Sequence, residues 1–433
     1  MAEPAATMDF SGLDQPIGMG GHFTRVFKDD EWMNWRMVPF LLIWAAFGII
    51  LLIWLFTVFV VPDPRKPRPS EKKYTTFDKT ADVTDPEPLP CWYDEILRRY
   101  AKAKQEDPDK DFDIERDFEI EPAEVFLTLV IPAFNEEDRL TGMLEEAVSF
   151  LETEYGSSAT SLNVQSIAEH STDDGPRRRK ANGSTTKQAL RGWEILLIDD
   201  GSTDETLLAV QTFARAHILP SNPRRDSGPW THRSPRGVKI PPGSIRMISL
   251  EQNRGKGGAV THGMRHARGQ YVLFADADGA SKFSDFDKLL HACQKVEDAD
   301  GRGVAVGSRA HLVGSEAVVK RSKLRNFLMH AFHLLLWLLT PPATARVKDT
   351  QCGFKLFSRK TLPYIIPHMH MEGWIFDVEM LMLAEYAGIP VVEVPVGWRE
   401  VGGSKLNVIK DSLGMAWGLA ILRICWGTGI YRR

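Results

Sequence analysis

Trp193-Glu194-Ile195-Leu196-Leu197-Ile198-Asp199-Asp200-Gly201-Ser202-Thr203-Asp204 is a short, β-rich apolar run that stops on two carboxylates and a turn. A helical pattern over 203–216 follows it. The same unit recurs on either side. Upstream, an apolar run over 125–132 ends in Ala133-Phe134-Asn135-Glu136-Glu137, with a helical pattern from Glu136 to Glu154. Downstream, 244–250 is followed by a helix over 258–267. A further run over 270–275 closes on Asp276-Ala277-Asp278-Gly279 before a helix over 283–296. Strands alternating with helices at this spacing require crossover connections and a mostly parallel sheet. The fold class is α/β, Rossmann-like, with flanking helices.

Open parallel sheets bind ligands at the carboxyl ends of their strands, and three of these runs end in polar clusters there. Gathered carboxylates repel unless a cation sits among them. Asp276 and Asp278 offer hard oxygen ligands suited to Mg²⁺ or Mn²⁺, which bridge the phosphates of a nucleotide-sugar. Asp199 or Asp200 can accept hydrogen bonds from a pyrimidine or a ribose. A plainer reading of the Asp-Gly-Ser run is a turn whose Ser202 or Thr203 caps the next helix. Asn253-Arg254-Gly255-Lys256-Gly257-Gly258 precedes a helix and brings Lys256 toward phosphate. It lacks the GxxxxGK[ST] spacing, which sets aside a kinase or ATPase.

The remainder of the 433 residues bounds the setting. A formal charge of −4 argues against a nucleic-acid-binding surface. Cys91, Cys293, Cys352 and Cys425 form no CxxC pair and fit a reducing compartment. From 37 to 61 no charged residue occurs, and the run reaches about 37 Å as a helix, enough to cross a bilayer. Arg65, Lys66, Arg68, Lys72 and Lys73 follow it, against Arg25, Lys28 and Arg36 mixed with acids before it. The positive-inside bias puts the C-terminal side in the cytosol.

Around this anchor the expected organisation is a tail over 1–36 and a proline-stiffened spacer and pre-domain segment over 62–123. A catalytic domain spans 124–405, interrupted by a disordered Ser/Thr/Arg-rich insertion over 156–192. Two greasy stretches, 321–341 and 406–433, read as amphipathic helices lying at the membrane interface; buried core helices are the other reading.

The clusters VIPAFNEE, LLIDDGSTDET, NRGKGGA and FADADG, in this order, resemble a family-2 inverting glycosyltransferase of GT-A fold. VGSRAHL at 306–312, RSKLRNFLMHAFH at 321–333, DTQCGFKLF at 349–357, EGWIFDVEML at 372–381 and GSKL at 403–406 are similar to the dolichyl-phosphate β-glucosyltransferases of the endoplasmic reticulum. The likeness covers about 124–433 and the anchor. It implies UDP-glucose as donor, dolichyl phosphate as acceptor, membrane lipids as surroundings and the cytosolic face of the endoplasmic reticulum as location.

By that resemblance Pro132, Glu136 and Asp200 face the uridine, and Phe134, Asp199 and Lys256 bind substrate. Asp276 and Asp278 face diphosphate and metal. Arg309, Arg321 and Arg325 lie toward the acceptor phosphate or the donor diphosphate. Gln351 is a further metal or sugar contact, and Asp377 and Glu379 bind sugar hydroxyls. Asp278, Arg309, Arg325 and Asp377 are the expected catalytic set. No QxxRW motif is present, which argues against a processive polysaccharide synthase. A GDP-mannose-dependent polyprenyl-phosphate mannosyltransferase and a non-catalytic membrane scaffold remain as alternatives.

Overall fold

A computed structural model describes residues 38–156, 190–218, 239–312, 323–402 and 408–432. The chain divides into two units, residues 1–61 and 62–433. In the first, helix α1 (Val38–Phe59) is apolar on every side, with Leu42, Trp44, Leu52 and Trp54 exposed. Among the described residues it is the one helix long and apolar enough to cross a membrane.

The second unit opens with a small antiparallel ribbon, β1 (Lys73–Tyr74) and β2 (Glu87–Pro88), and helices α2 (Trp92–Glu106) and α3 (Ile114–Asp117). The alternation expected from the sequence follows. It runs β3 (Val125–Ala133), α4 (Leu140–Tyr155), β4 (Trp193–Asp199), α5 (Thr206–Ile218), β5 (Ile245–Ser249), α6 (Lys256–Arg265), β6 (Gly269–Ala275) and α7 (Phe286–Val296). The strands are continuous apolar runs because helices cover both sheet faces. Leu127, Leu129 and Ile131 of β3 join Leu140, Leu144 and Leu151 of α4 in one buried cluster.

The later elements are β7 (Val304–Ser308), α8 (Lys323–Leu339), α9 (Pro342–Arg346), β8 (Phe354–Ser358), α10 (Leu362–Ile365), α11 (Phe376–Tyr386), β9 (Val391–Pro395) and α12 (Val408–Thr428). The sheet order is β5-β4-β3-β6-β8-β7-β9. Strands β3 to β6 pair in parallel, whereas β8 runs antiparallel to both β6 and β7. This reversal matters for chemistry. With Ala275 opposite Phe354, the start of β8 meets the edge where β3, β4 and β6 end.

Several expectations change. Helix α4 starts at Leu140 rather than Glu136; Glu136 lies in the turn before it, its N–H donating to Thr206 Oγ1 at 2.7 Å. Helix α5 starts at Thr206, whose N–H is taken by the Asp204 carboxylate at 3.0 Å. Ser202 Oγ accepts from Asn135 N at 2.9 Å, and Thr203 N donates to Asn135 Oδ1 at 2.7 Å. These two residues tie neighbouring strand ends together instead of capping a helix.

The stretch after Val61 is no free spacer: residues 65–71 are hydrogen-bonded to the catalytic unit. Helices α8 and α12 pack on one another. They bury Leu336, Leu419 and Leu422 and expose Leu334, Trp337, Leu338, Leu413 and Trp417. Leu and Ile occur on both the buried and the exposed faces of α12. The insertion at 157–189, Arg321, and 403–407 with the whole of GSKL lie outside the described residues.

Candidate active site

Strand ends assemble the site. Asp199, the last residue of β4, and Asp200 after it are buried. The Asp199 carboxylate accepts from Ser202 N at 3.0 Å, which fixes the turn. Asp200 accepts from Arg254 N at 2.7 Å and Gly255 N at 2.9 Å, the start of the loop that opens α6. Burial pushes the Asp200 carboxyl up to about 6, against those two hydrogen bonds and the charge of Arg65. Pro132 lies beside Ile198 within the sheet, and Phe134 just beyond β3 is exposed.

Lys256, the first residue of α6, reaches Asp276 Oδ1 at 2.6 Å and lies 5.5 Å from the ring centre of Trp374. Burial lowers its pKa, but Asp276, Asp377 and Asp278 together hold it above the usual lysine range. Arg139 Nη2 donates to Glu136 Oε1 at 2.5 Å, and its Nη1 lies 3.8 Å from Asp278 Oδ2. Burial first, then Asp276, raise the Asp278 carboxyl above its ordinary range, with Arg139 and Lys256 opposing.

Arg309 follows β7 and grips Asp349 from the loop before β8. Its Nε and Nη2 donate to the two carboxylate oxygens at 2.7 and 2.8 Å. Burial notwithstanding, this fork holds Asp349 below the usual carboxylate range. Arg309 is therefore not a bare cation but one face of a pair. Gln351 Nε2 contacts Met415 Sδ on α12 at 2.8 Å, so its amide is turned to that helix. Arg325 lies on α8.

The two expected sugar ligands, Asp377 and Glu379, are buried and held by partners within this chain. Asp377 is almost fully buried and paired with Lys355, which has no exposed surface. Glu379 has no exposed surface either; its carboxylate accepts from His370 N at 2.9 Å and Met371 N at 2.7 Å. Both carboxylates sit on α11 among fixed donors, Glu379 holding His370 and Met371 and Asp377 holding Lys355. The sequence shows acids in a helix's first turn but not that this turn is the buried one.

Arg139, Lys355 and Trp374 belong to the cluster and carried no sequence assignment. The one sequence signal for Lys355 is a lysine inside an apolar run, Phe354-Lys355-Leu356-Phe357.

Among the described residues no group of three or more His, Cys, Asp or Glu could hold a metal. Asp276 and Asp278 fit a cation whose shell is completed by substrate. They stand two residues apart at the end of β6 and are both partly exposed. Magnesium is ordinarily held by one or two carboxylates plus phosphate oxygens.

Residues 236–360 match the family model described as Glycosyl transferase family 2. The chain is 37% identical to the dolichyl-phosphate beta-glucosyltransferase of Saccharomyces cerevisiae over 398 residues, covering 90% of this chain and 93% of that one. It is 34% identical to the Homo sapiens enzyme of the same name, over 71% of this chain and 77% of the other. Among solved structures, glucosyl-3-phosphoglycerate synthase from Mycobacterium tuberculosis in complex with Mn2+ and uridine-diphosphate-glucose matches. The identity is 16%, coverage is 70% of this chain and 78% of that chain, and the TM-score is 0.40.

Proposed function

The chain belongs to the dolichyl-phosphate β-glucosyltransferases of glycosyl transferase family 2, and from that premise we propose that it takes glucose from UDP-glucose and inverts at the anomeric carbon. The observation that carries this reading is the convergence of Asp200, Lys256, Asp276, Asp278 and Arg309 on one edge of the sheet. A phosphate oxygen of dolichyl phosphate attacks the anomeric carbon in line. The bond from that carbon to the diphosphate oxygen breaks, and its electron pair leaves with UDP. No strong base is required, since a phosphate monoester with a second pKa near ~6 is already a nucleophilic anion at neutral pH.

This chain's residues bind and orient. Asp200 receives the uridine, with Pro132, Phe134 and Glu136 along the same wall. Lys256 faces the donor diphosphate. Arg309, held rigid by Asp349, presents its remaining donor surface to the acceptor phosphate, a task the sequence also assigns to Arg321 and Arg325. Asp276 and Asp278 would hold Mg²⁺ or Mn²⁺, which as a Lewis acid neutralises charge on the departing diphosphate. Helix α1 anchors the chain in the endoplasmic reticulum. The exposed Leu and Trp residues of α8 and α12 rest in the lipid interface, keeping the acceptor's head near the site. Flanking charge supports a cytosolic catalytic domain. Asn182-Gly183-Ser184, a glycosylation sequon outside the described residues, then stays bare. A mass shift removed by endoglycosidase and by Asn182→Gln would overturn that orientation.

Donor identity is tested by titrating the detergent-solubilised protein with UDP-glucose and GDP-mannose between pH 5 and 8, then supplying a short polyprenyl phosphate. UDP-glucose should saturate and its glucose appear on the lipid; preference for GDP-mannose defeats the reading. Binding rather than turnover is the right measurement for pH, because the acceptor phosphate itself titrates near ~6. UDP-glucose has no group titrating there. If Asp200 must be ionised to accept from uridine, affinity falls as pH drops through about 6, approaching tenfold per unit below it. Asp199 and Arg65 are the other charges bearing on Asp200. An acid limb that persists in Asp200→Asn would assign it elsewhere.

A further inference from the structure

The segment immediately after the anchor is laced to the loop that opens α6. Arg254 is buried, and its guanidinium spends its donors on this segment alone: Nη1 on Arg65 O at 2.9 Å, Nη2 on Lys66 O at 2.8 Å and Glu71 Oε2 at 3.1 Å. Glu71 is also buried, and its carboxylate accepts from Arg68 N at 2.8 Å and Glu251 N at 3.1 Å. Its carbonyl accepts from His262 Nε2 on α6 at 2.9 Å. From the outer side, Arg65 Nη1 donates to Asn253 O at 3.0 Å, while Arg65 Nε donates to Glu372 Oε2 at 2.8 Å. Glu372 in turn accepts Gly258 N on its carbonyl at 3.1 Å.

These contacts surround residues 251–258 on both sides, and the same residues serve the donor. The backbone of Arg254 and Gly255 holds Asp200, and Lys256 follows at once. Gly255 adopts φ +84°, and a Cβ there would lie 2.7 Å from Glu372 O, so the loop has a single tight path. A loop with few apolar contacts keeps such a path only while its polar neighbours fix it.

We propose that Arg65 and Glu71 are positioning residues of the donor site: the membrane-proximal strap, acting through Arg254, sets the Asn253–Lys256 loop and with it the seats of the uridine and the diphosphate. This rests on the UDP-glucose reading above. It assigns the strap a part in donor affinity rather than in tethering alone.

Full-length protein in detergent is compared as wild type, Arg65→Ala, Glu71→Gln and, as a control on the same segment, Lys73→Ala, whose side chain is exposed. The Kd for UDP-glucose, the KM values for both substrates and the melting temperature are measured. Arg65→Ala and Glu71→Gln should each raise the UDP-glucose Kd about tenfold, the scale of one charge-assisted hydrogen bond. The acceptor KM should stay within about twofold, a split that general loosening does not produce. Arg65→Ala is the variant with little risk to folding, since this side chain is 43% exposed. Wild-type affinity in both variants overturns the proposal, as does a parallel rise of both KM values with a lower melting temperature. Failure of the wild type to bind UDP-glucose would instead bring down the donor reading, and the inference with it.

Discussion

Asp278→Ala is expected to lower glucosyl transfer by at least ~100-fold at saturating UDP-glucose, a loss of roughly 3 kcal/mol of transition-state stabilisation. The expectation comes from how little else surrounds the departing charge. Asp276 and Asp278 are the two carboxylates at the end of β6, and Asp276 already has Lys256 at 2.6 Å. Asp278 has its nearest cation, Arg139, at 3.8 Å, leaving it the freer of the two to take a divalent ion. The substitution should not unfold the protein. A carboxyl whose folded-state pKa is raised binds its proton more tightly in the folded state, so its ionisation at neutral pH opposes folding. Its removal sacrifices one hydrogen bond from Ala280 N at 3.0 Å and relieves repulsion with Asp276. Melting temperature of the metal-free protein should therefore hold while turnover collapses. Rates that survive both EDTA and Asp278→Ala would remove the metal from the reaction.

Much of this fold could be read from local sequence. Strands β3 to β6 are apolar runs closed by polar clusters, and burial on both faces gives that signature without long-range information. The site was legible where function rides on a strand's end, as with Asp200, Asp276 and Asp278. It was not legible where the partner is distant. Lys355 sits in Phe354-Lys355-Leu356-Phe357, and nothing local says that its ammonium binds Asp377 on another element or the Cys352 carbonyl at 2.7 Å. Asp377 and Glu379 look like solvent-facing first-turn acids because helix periodicity cannot say that α11 is buried on all sides. Arg65 and Glu71 fall in a proline-rich stretch that reads as spacer, and only the fold supplies Arg254 to them. Strand β8 carries the same lesson in topology. A five-residue apolar strand has no local mark of direction, yet its reversal is what brings Asp349 and Gly353 to the catalytic edge.

That reversal also supplies the second large expected effect. Gly353→Ala should reduce transfer nearly as far as loss of the Asp276 carboxylate, again ~100-fold or more. A Cβ at position 353 would lie 2.2 Å from Asp276 Cγ and both its carboxylate oxygens, far inside contact distance. The usual escape routes are closed. Asp276 N donates to Gly353 O at 3.1 Å, so the two backbones cannot part without breaking the pairing that continues into Ala275 and Phe354. On the other side, Lys355 Nζ fixes the Cys352 carbonyl and is itself buried against Asp377. The carboxylate must therefore rotate away, separating from Lys256 and from the position where Asp278 would share a cation. Gly353 is not in the left-handed region, so alanine brings steric conflict without backbone strain, and the fold should tolerate it better than the chemistry does. The signature is a fall in kcat with an increased requirement for added Mn²⁺ or Mg²⁺, while the melting temperature drops by only a few degrees. Gly402→Ala, where a Cβ meets nothing within 4 Å, serves as the neutral comparison. If Gly353→Ala retains wild-type kcat and metal requirement, the position of the Asp276 carboxylate does not limit the reaction.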